Sequence, residues 1–153
     1  MIKNDKDDIV TWSNSYATGI SLIDDQHKEL VILTNNLYKS CLTDKEGIVF
    51  KEAMQHMVEY VRFHFGAEIE LLERVNYPDS LNHKKEHEAL IRSILDAAKN
   101  YDDGKRFVPN IFVRSLKDWI FGHIAISDKL YASYIADQKK KGLLSDSRIE
   151  GSL

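Results

Sequence analysis

Histidine and carboxylate recur in this chain at spacings that suit a metal ion. His64 and Glu68 stand four residues apart, and so do His83 and His87. On a helix such a pair is separated by about 40° around the axis, so both side chains point into the same space. His27 and His123 join them because each falls within apolar residues recurring at helical intervals. Burying a neutral imidazole is unfavourable without a hydrogen bond, and a buried carboxylate needs a partner or a metal. Six such groups left unsatisfied at about 1–3 kcal/mol each would cancel most of a domain stability of roughly 5–15 kcal/mol. Imidazoles satisfy one another poorly, whereas a cation satisfies them all. One pair spaced by four is a common accident. Two pairs, with an inward histidine on each remaining helix, are much more specific.

The elements that must carry these residues are four helices. The first is expected over about 21–41, opened by Ser21 and Asp24 as a capping box, with a stripe of Ile23, His27, Leu30, Leu33, Leu37 and Cys41. Thr43 and Glu46 suggest a second capping box and a helix over about 44–75, with Phe50, Ala53, Met57, Val61, His64, Glu68, Leu71 and Val75 on one face. Tyr77-Pro78 ends it, because the residue before proline is pushed out of helical geometry. Asp79 or Ser80 can cap the third helix, whose stripe is His83, His87, Leu90, Ile94, Ala97 and Tyr101, before a turn at Asp102-Asp103-Gly104. Pro109 suits a first turn, and the fourth helix is expected over about 108–139 with Phe112, Leu116, Trp119, His123, Ile126, Leu130 and Tyr134 inward. Short connections make neighbours antiparallel, so the fold class is all-α, an up-down-up-down four-helix bundle over 19–140. Residues 1–18 read as an extended arm anchored by Trp12 and Tyr16, and 141–153 as a flexible tail.

Composition narrows the function classes. The chain has 153 residues, 43% of them apolar and 29% charged, which suits one globular domain. Twenty-one basic residues against 24 acidic ones give a net charge of -3, which disfavours nucleic acid as the partner. The single cysteine, Cys41, makes neither an internal disulfide nor a thiolate metal site. There is no apolar run of membrane-spanning length and no secretory leader, so a cytoplasmic protein without membrane partners is expected.

Several segments together resemble the hemerythrins, most closely their single-domain bacterial members. They are Trp12 through Gly19 to Gln26-His27; His64-Phe65-Gly66-Ala67-Glu68; Tyr77-Pro78 with His83-Lys84-Lys85-Glu86-His87; and Trp119-Ile120-Phe121-Gly122-His123-Ile124 with Asp128-Lys129. The resemblance implies two non-haem iron ions bridged by an oxo or hydroxo group. His83, His87 and His123 would hold one iron, His27 and His64 the other, and Glu68 and Asp128 would bridge them. Asp128 enters only through the resemblance: five residues beyond His123, it is rotated by about 140° on an ideal helix, and geometry alone leaves it solvated. Leu30, Phe65, Trp119 and Ile124 would line the dioxygen side. The implied function is reversible dioxygen binding, carriage or storage, without enzymatic turnover. Two alternatives stay open: an oxygen or redox sensing or delivery module acting through a protein partner, and a di-iron peroxidase or oxidase. A partner could meet the acidic arm or Lys139-Lys140-Lys141. Ile69 stands where many relatives carry a second acid, and Gly66 and Gly122 stand inside helices, allowing close helix approach, a small tunnel or no role.

Overall fold

The computed structural model describes residues 7–43, 47–102 and 109–151. Among them there is no strand. Four long helical rods form the bundle: α1 (Ser21–Thr43), α2 (Ile48–Arg74), α3 (Ser80–Asp102), and a last rod made of α4 (Pro109–His123), a π-helical turn (Ile124–Asp128) and α5 (Lys129–Lys140). A short α6 (Asp146–Glu150) follows. The bundle is closed by α1 against α2 and α4, and by α2 against α3. No described helix is long and apolar enough to cross a membrane.

The helix ends obey capping chemistry, though not always through the expected residues. Ser21 is the first helical residue rather than the cap, and the Ile20 carbonyl accepts the first helical bond, from Asp24 N–H. The Asp24 carboxylate instead reaches back to Thr18 N (2.7 Å), Thr18 Oγ1 (2.8 Å) and Gly19 N (3.2 Å). Thr43 closes α1, donating its hydroxyl to the Lys39 carbonyl, and does not cap α2. Gly47, at φ 79, holds the left-handed cap position before α2, which therefore starts at Ile48. Glu46, the Asp103-Gly104 turn and the Tyr101 side chain lie outside the described residues. At α3 the Asp79 carbonyl accepts from His83 N–H, and its side chain accepts from Asn82.

Two apolar cores sandwich one polar layer. The larger contains Leu30, Leu37, Met57, Val61, Phe65, Leu90, Ile94, Val113, Leu116 and Ile124; the smaller contains Ile23, Leu71, Leu72, Val75, Tyr131, Ile135 and Ile149. Along α1, His27 falls between Ile23 of one core and Leu30 of the other, and Glu68 lies between Phe65 and Leu71 along α2. All the predicted ligands therefore sit at one level, although counting from estimated helix ends matches those levels only roughly.

The fourth stripe is corrected beyond His123. Ile126 and Leu130, expected inward, are 68% and 58% exposed, while Asp128, Tyr131 and Ile135 are buried. A π turn takes one residue more than an α turn. Everything after it is shifted by one position around the axis, so the helical count that works up to His123 fails after it.

The described residues before α1 and after α5 fold onto the bundle. Asn35 on α1 clamps the arm: its Oδ1 accepts from Ile9 N (2.9 Å) and Val10 N (3.1 Å), and its Nδ2 donates to Val10 O (2.9 Å). Trp12 and Tyr16 pack on the larger core as expected. The region expected as a flexible tail is structured through residue 151. Ile149 of α6 is buried in the smaller core, Arg74 donates to the Arg148 and Ile149 carbonyls, and Arg148 donates back to Arg74 O at 2.7 Å. Within the basic run, Lys139 pairs with Asp146 and Lys141 with Asp137. Leu143 and Leu144 precede Ile149 by six and five residues, which is not a helical interval, so the fold-back has no periodic signal in the sequence.

Candidate metal centre

The regular geometry of α2 and α3 aims their ligand pairs as the spacing predicts. The π turn adds the ligand that spacing could not. With one extra residue absorbed between them, His123 and Asp128 come to share a face, and His123 Nε2 lies 3.2 Å from Asp128 Oδ1. Glu68, His27 and Asp128 are fully buried, His64, His83 and His87 nearly so, and the His123 side chain is 7% exposed.

The two carboxylates divide their oxygens between two groups of imidazoles. Glu68 Oε2 is 3.1 Å from His64 Nε2 and 3.8 Å from His27 Nε2. Glu68 Oε1 contacts His83 Nε2 and lies 3.2 Å from His87 Nε2. Asp128 Oδ2 is 3.2 Å from His27 Nε2, and Oδ1 is 3.1 Å from His83 Nε2. Two sets result, His83, His87, His123 and His27, His64, each with Glu68 and Asp128; within a set the ligand atoms lie within 4.8 Å of one another. These are the seven residues singled out in the sequence, brought to one place.

Outer partners orient two of the rings. His64 Nδ1 donates to Gln26 Oε1 at 2.7 Å, and His123 Nδ1 pairs with Glu86 Oε2 at 2.8 Å. A hydrogen on Nδ1 leaves the Nε2 lone pair free to ligate. Phe65 stacks on His87 (centroids 3.6 Å apart, planes within 2°) and Trp119 on His123 (5.1 Å, 5°). Leu30, Phe65, Trp119 and Ile124 meet, with His64, His123 and Asp128, around one cavity of about 10 Å³. Gln26 and Glu86 were quoted in the matching segments but given no role, and Tyr131 was missed. Tyr131 is fully buried beside His83 (ring centroids 5.5 Å apart), and its register depends on the π turn.

In the absence of a cation the two carboxylates and the imidazoles around them favour one another's charged forms. Burial opposes the charged form of His27, but the Asp128 and Glu68 carboxylates beside it outweigh burial and raise the pKa to about 9. The same balance raises His83 to about 10. Burial lowers His87, helped by neighbouring His83 and His123. Burial opposes ionisation of Glu68, yet its four histidine neighbours hold it well below the usual carboxylate range. Asp128 is lowered too, against both burial and the Glu68 charge, by His123, His27 and His83.

A metal fits these residues on the chain's own evidence. His27 Nε2, Glu68 Oε2 and both Asp128 oxygens are buried within reach of one another yet make no hydrogen bond of acceptable geometry. His87 Nε2 and His123 Nε2 face each other at 3.2 Å. Atoms aimed at a common point, rather than at one another, are what a bound cation leaves behind. Imidazole with carboxylate suits iron among the first-row metals.

Fold and cluster together define an all-helical cation-binding protein whose metal ligands come from every rod of the bundle. The chain belongs to the hemerythrin family: residues 18–135 match the hemerythrin HHE cation binding domain. It is 30% identical over 124 residues to a bacteriohemerythrin of Methylococcus capsulatus, covering 80% of this chain and 94% of that one. It is 31% identical over 146 residues to a bacteriohemerythrin of Pseudomonas aeruginosa, covering 90% and 94%. The crystal structure of wild-type hemerythrin superposes with a TM-score of 0.76 at 28% identity, covering 82% of this chain and 96% of that one.

Proposed function

We propose that this protein binds dioxygen reversibly at two non-haem irons bridged by Glu68, Asp128 and an oxo or hydroxo group. His83, His87 and His123 would hold one iron, and His27 and His64 the other. The observation that carries this reading is the division of oxygens: each carboxylate turns one oxygen to each group of histidines. Bound there, the iron pair would supply the electrons that dioxygen takes up on binding and recover them on release.

The chain's own residues supply the rest. The set with two histidines offers one protein ligand fewer, which leaves room for a small ligand. Leu30, Phe65, Trp119 and Ile124 border that space, and a cavity of about 10 Å³ is at the lower limit for holding even one water. An apolar wall of this kind keeps water and protons from the bound gas. Five neutral imidazoles and two carboxylates place less negative charge on the metals than the four Glu and two His of ferritin-like sites. Weaker anionic donation favours reversible binding over enzymatic oxygenation.

The test is metal content followed by the visible spectrum. The loaded protein is expected to hold two irons per chain. Reduced protein is expected to gain a charge-transfer band in air and lose it on degassing. Direct, irreversible passage to a ferric spectrum refutes carriage and favours an oxidase or peroxidase. His123→Ala is expected to lose most of its iron; full iron content in that variant removes His123 from the ligand set.

A further inference from the structure

We propose that the N-terminal segment is a strap that holds the π turn in register, and that Tyr16 is the positioning residue through which it keeps Asp128 in the site. A π turn is rare, occurs mostly as a single bulge within an α-helix, and persists only where its surroundings over-determine it. On the inner side Ile124 and Asp128 are buried. On the outer side Gly122 and Ala125 are exposed and border a groove between the rod and the N-terminal segment, whose Ser15 and Tyr16 form the facing wall. The short 3-10 turn Asn14–Tyr16 packs against the π turn. Tyr16 stacks on Phe121 with ring centroids 5.3 Å apart, and on Trp12 at 5.9 Å. Phe121 is buried and lies two residues before His123.

The strap is fastened at its other end. Asn35 holds Ile9 and Val10 by three hydrogen bonds. Asp8 pairs with Lys39 at 2.9 Å. The segment is thus tied to α1 and pressed against the last rod, spanning the two rods that carry His27 and Asp128. Removing the pressure lets the π turn relax toward α-helical bonding, which rotates Asp128 away from His123. This inference goes beyond the dioxygen reading, and its primary readout needs no iron, so the two can fail separately.

The experiment is hydrogen exchange on the metal-free full chain, comparing residues 124–128 with the interior of α2. Tyr16→Ala is expected to speed exchange at 124–128 about tenfold and to leave α2 unchanged. Tyr16→Phe, which keeps the ring contact, is expected to match the parent. Deleting Ala125 brings His123 and Asp128 to a spacing of four, which needs no π turn, so Tyr16→Ala is expected to have no local effect in that background. Cobalt(II) affinity, read from its visible bands, is expected to fall about tenfold in Tyr16→Ala and not in the double variant. No acceleration at 124–128, or an equal rise throughout α2, overturns the strap; so does a local effect that survives the deletion. Should the deletion variant not fold, the contrast between 124–128 and α2 in Tyr16→Ala decides alone.

Discussion

Replacing Gln26 by leucine should loosen one iron and spare the other. Gln26 is buried, and its Oε1 sits 2.7 Å from His64 Nδ1. Leucine is similar in size but accepts nothing, so the His64 Nδ1–H loses this acceptor. Leaving that donor buried costs the fold about 1–3 kcal/mol. At the metal, outer partners of ligating histidines are worth about 10–100-fold in affinity, or roughly 1.4–2.7 kcal/mol. The loss should be one-sided, because His123 keeps its own partner, Glu86. The assay is iron per chain after equilibration with graded chelator. The variant is expected to drop to one iron at 10–100-fold less chelator than the parent, with the second iron released near the parental midpoint. Glu86→Gln is expected to weaken the opposite iron. If both irons leave Gln26→Leu in parallel, or neither leaves early, the two sets are not held separately by these rings.

Three further outcomes follow from the same geometry. In the metal-free protein, the raised pKa values of His27 and His83 contribute stability that is complete below about 6.5 and lost as pH rises through about 9 and 10. The lowered pKa values of Glu68 and Asp128 contribute stability above the usual carboxylate range that is lost on acidification, and His87, held neutral by burial, likewise loses its contribution below about 6.5. Thermal melts of apo-protein against pH check both arms, and zinc binding near pH 8 is expected to release about two protons, measurable with an indicator dye. At Gly66 and Gly122 an added Cβ meets nothing within 4 Å. Close helix approach does not explain them, and alanine at each is expected to raise stability by about 0.5–1 kcal/mol in urea titrations. Leu30→Ala is expected to cost about 2–5 kcal/mol in stability and, with iron retained, to speed conversion to the ferric form in air; an unchanged rate would remove Leu30 from the gas pocket.

Periodicity determined a good deal by itself. The stripes that carry His27, His64, Glu68, His83 and His87 are short-range facts about which residues share a helix face, and a helix face is decided by counting. The need for a cation also follows from sequence, because five imidazoles and a carboxylate on apolar faces have no other common partner. What counting cannot see is a change of helix type or a contact across helices. Asp128 reaches the site only because the π turn absorbs one residue, and that same residue turned Ile126 and Leu130 outward. Gln26 and Glu86 earn their roles from rings on other helices, and Ile149 from a core that includes Leu71, Leu72 and Val75, more than seventy residues earlier in the chain. Such features depend on which surfaces meet when the rods close, so tertiary packing decides them, and no local pattern announces them.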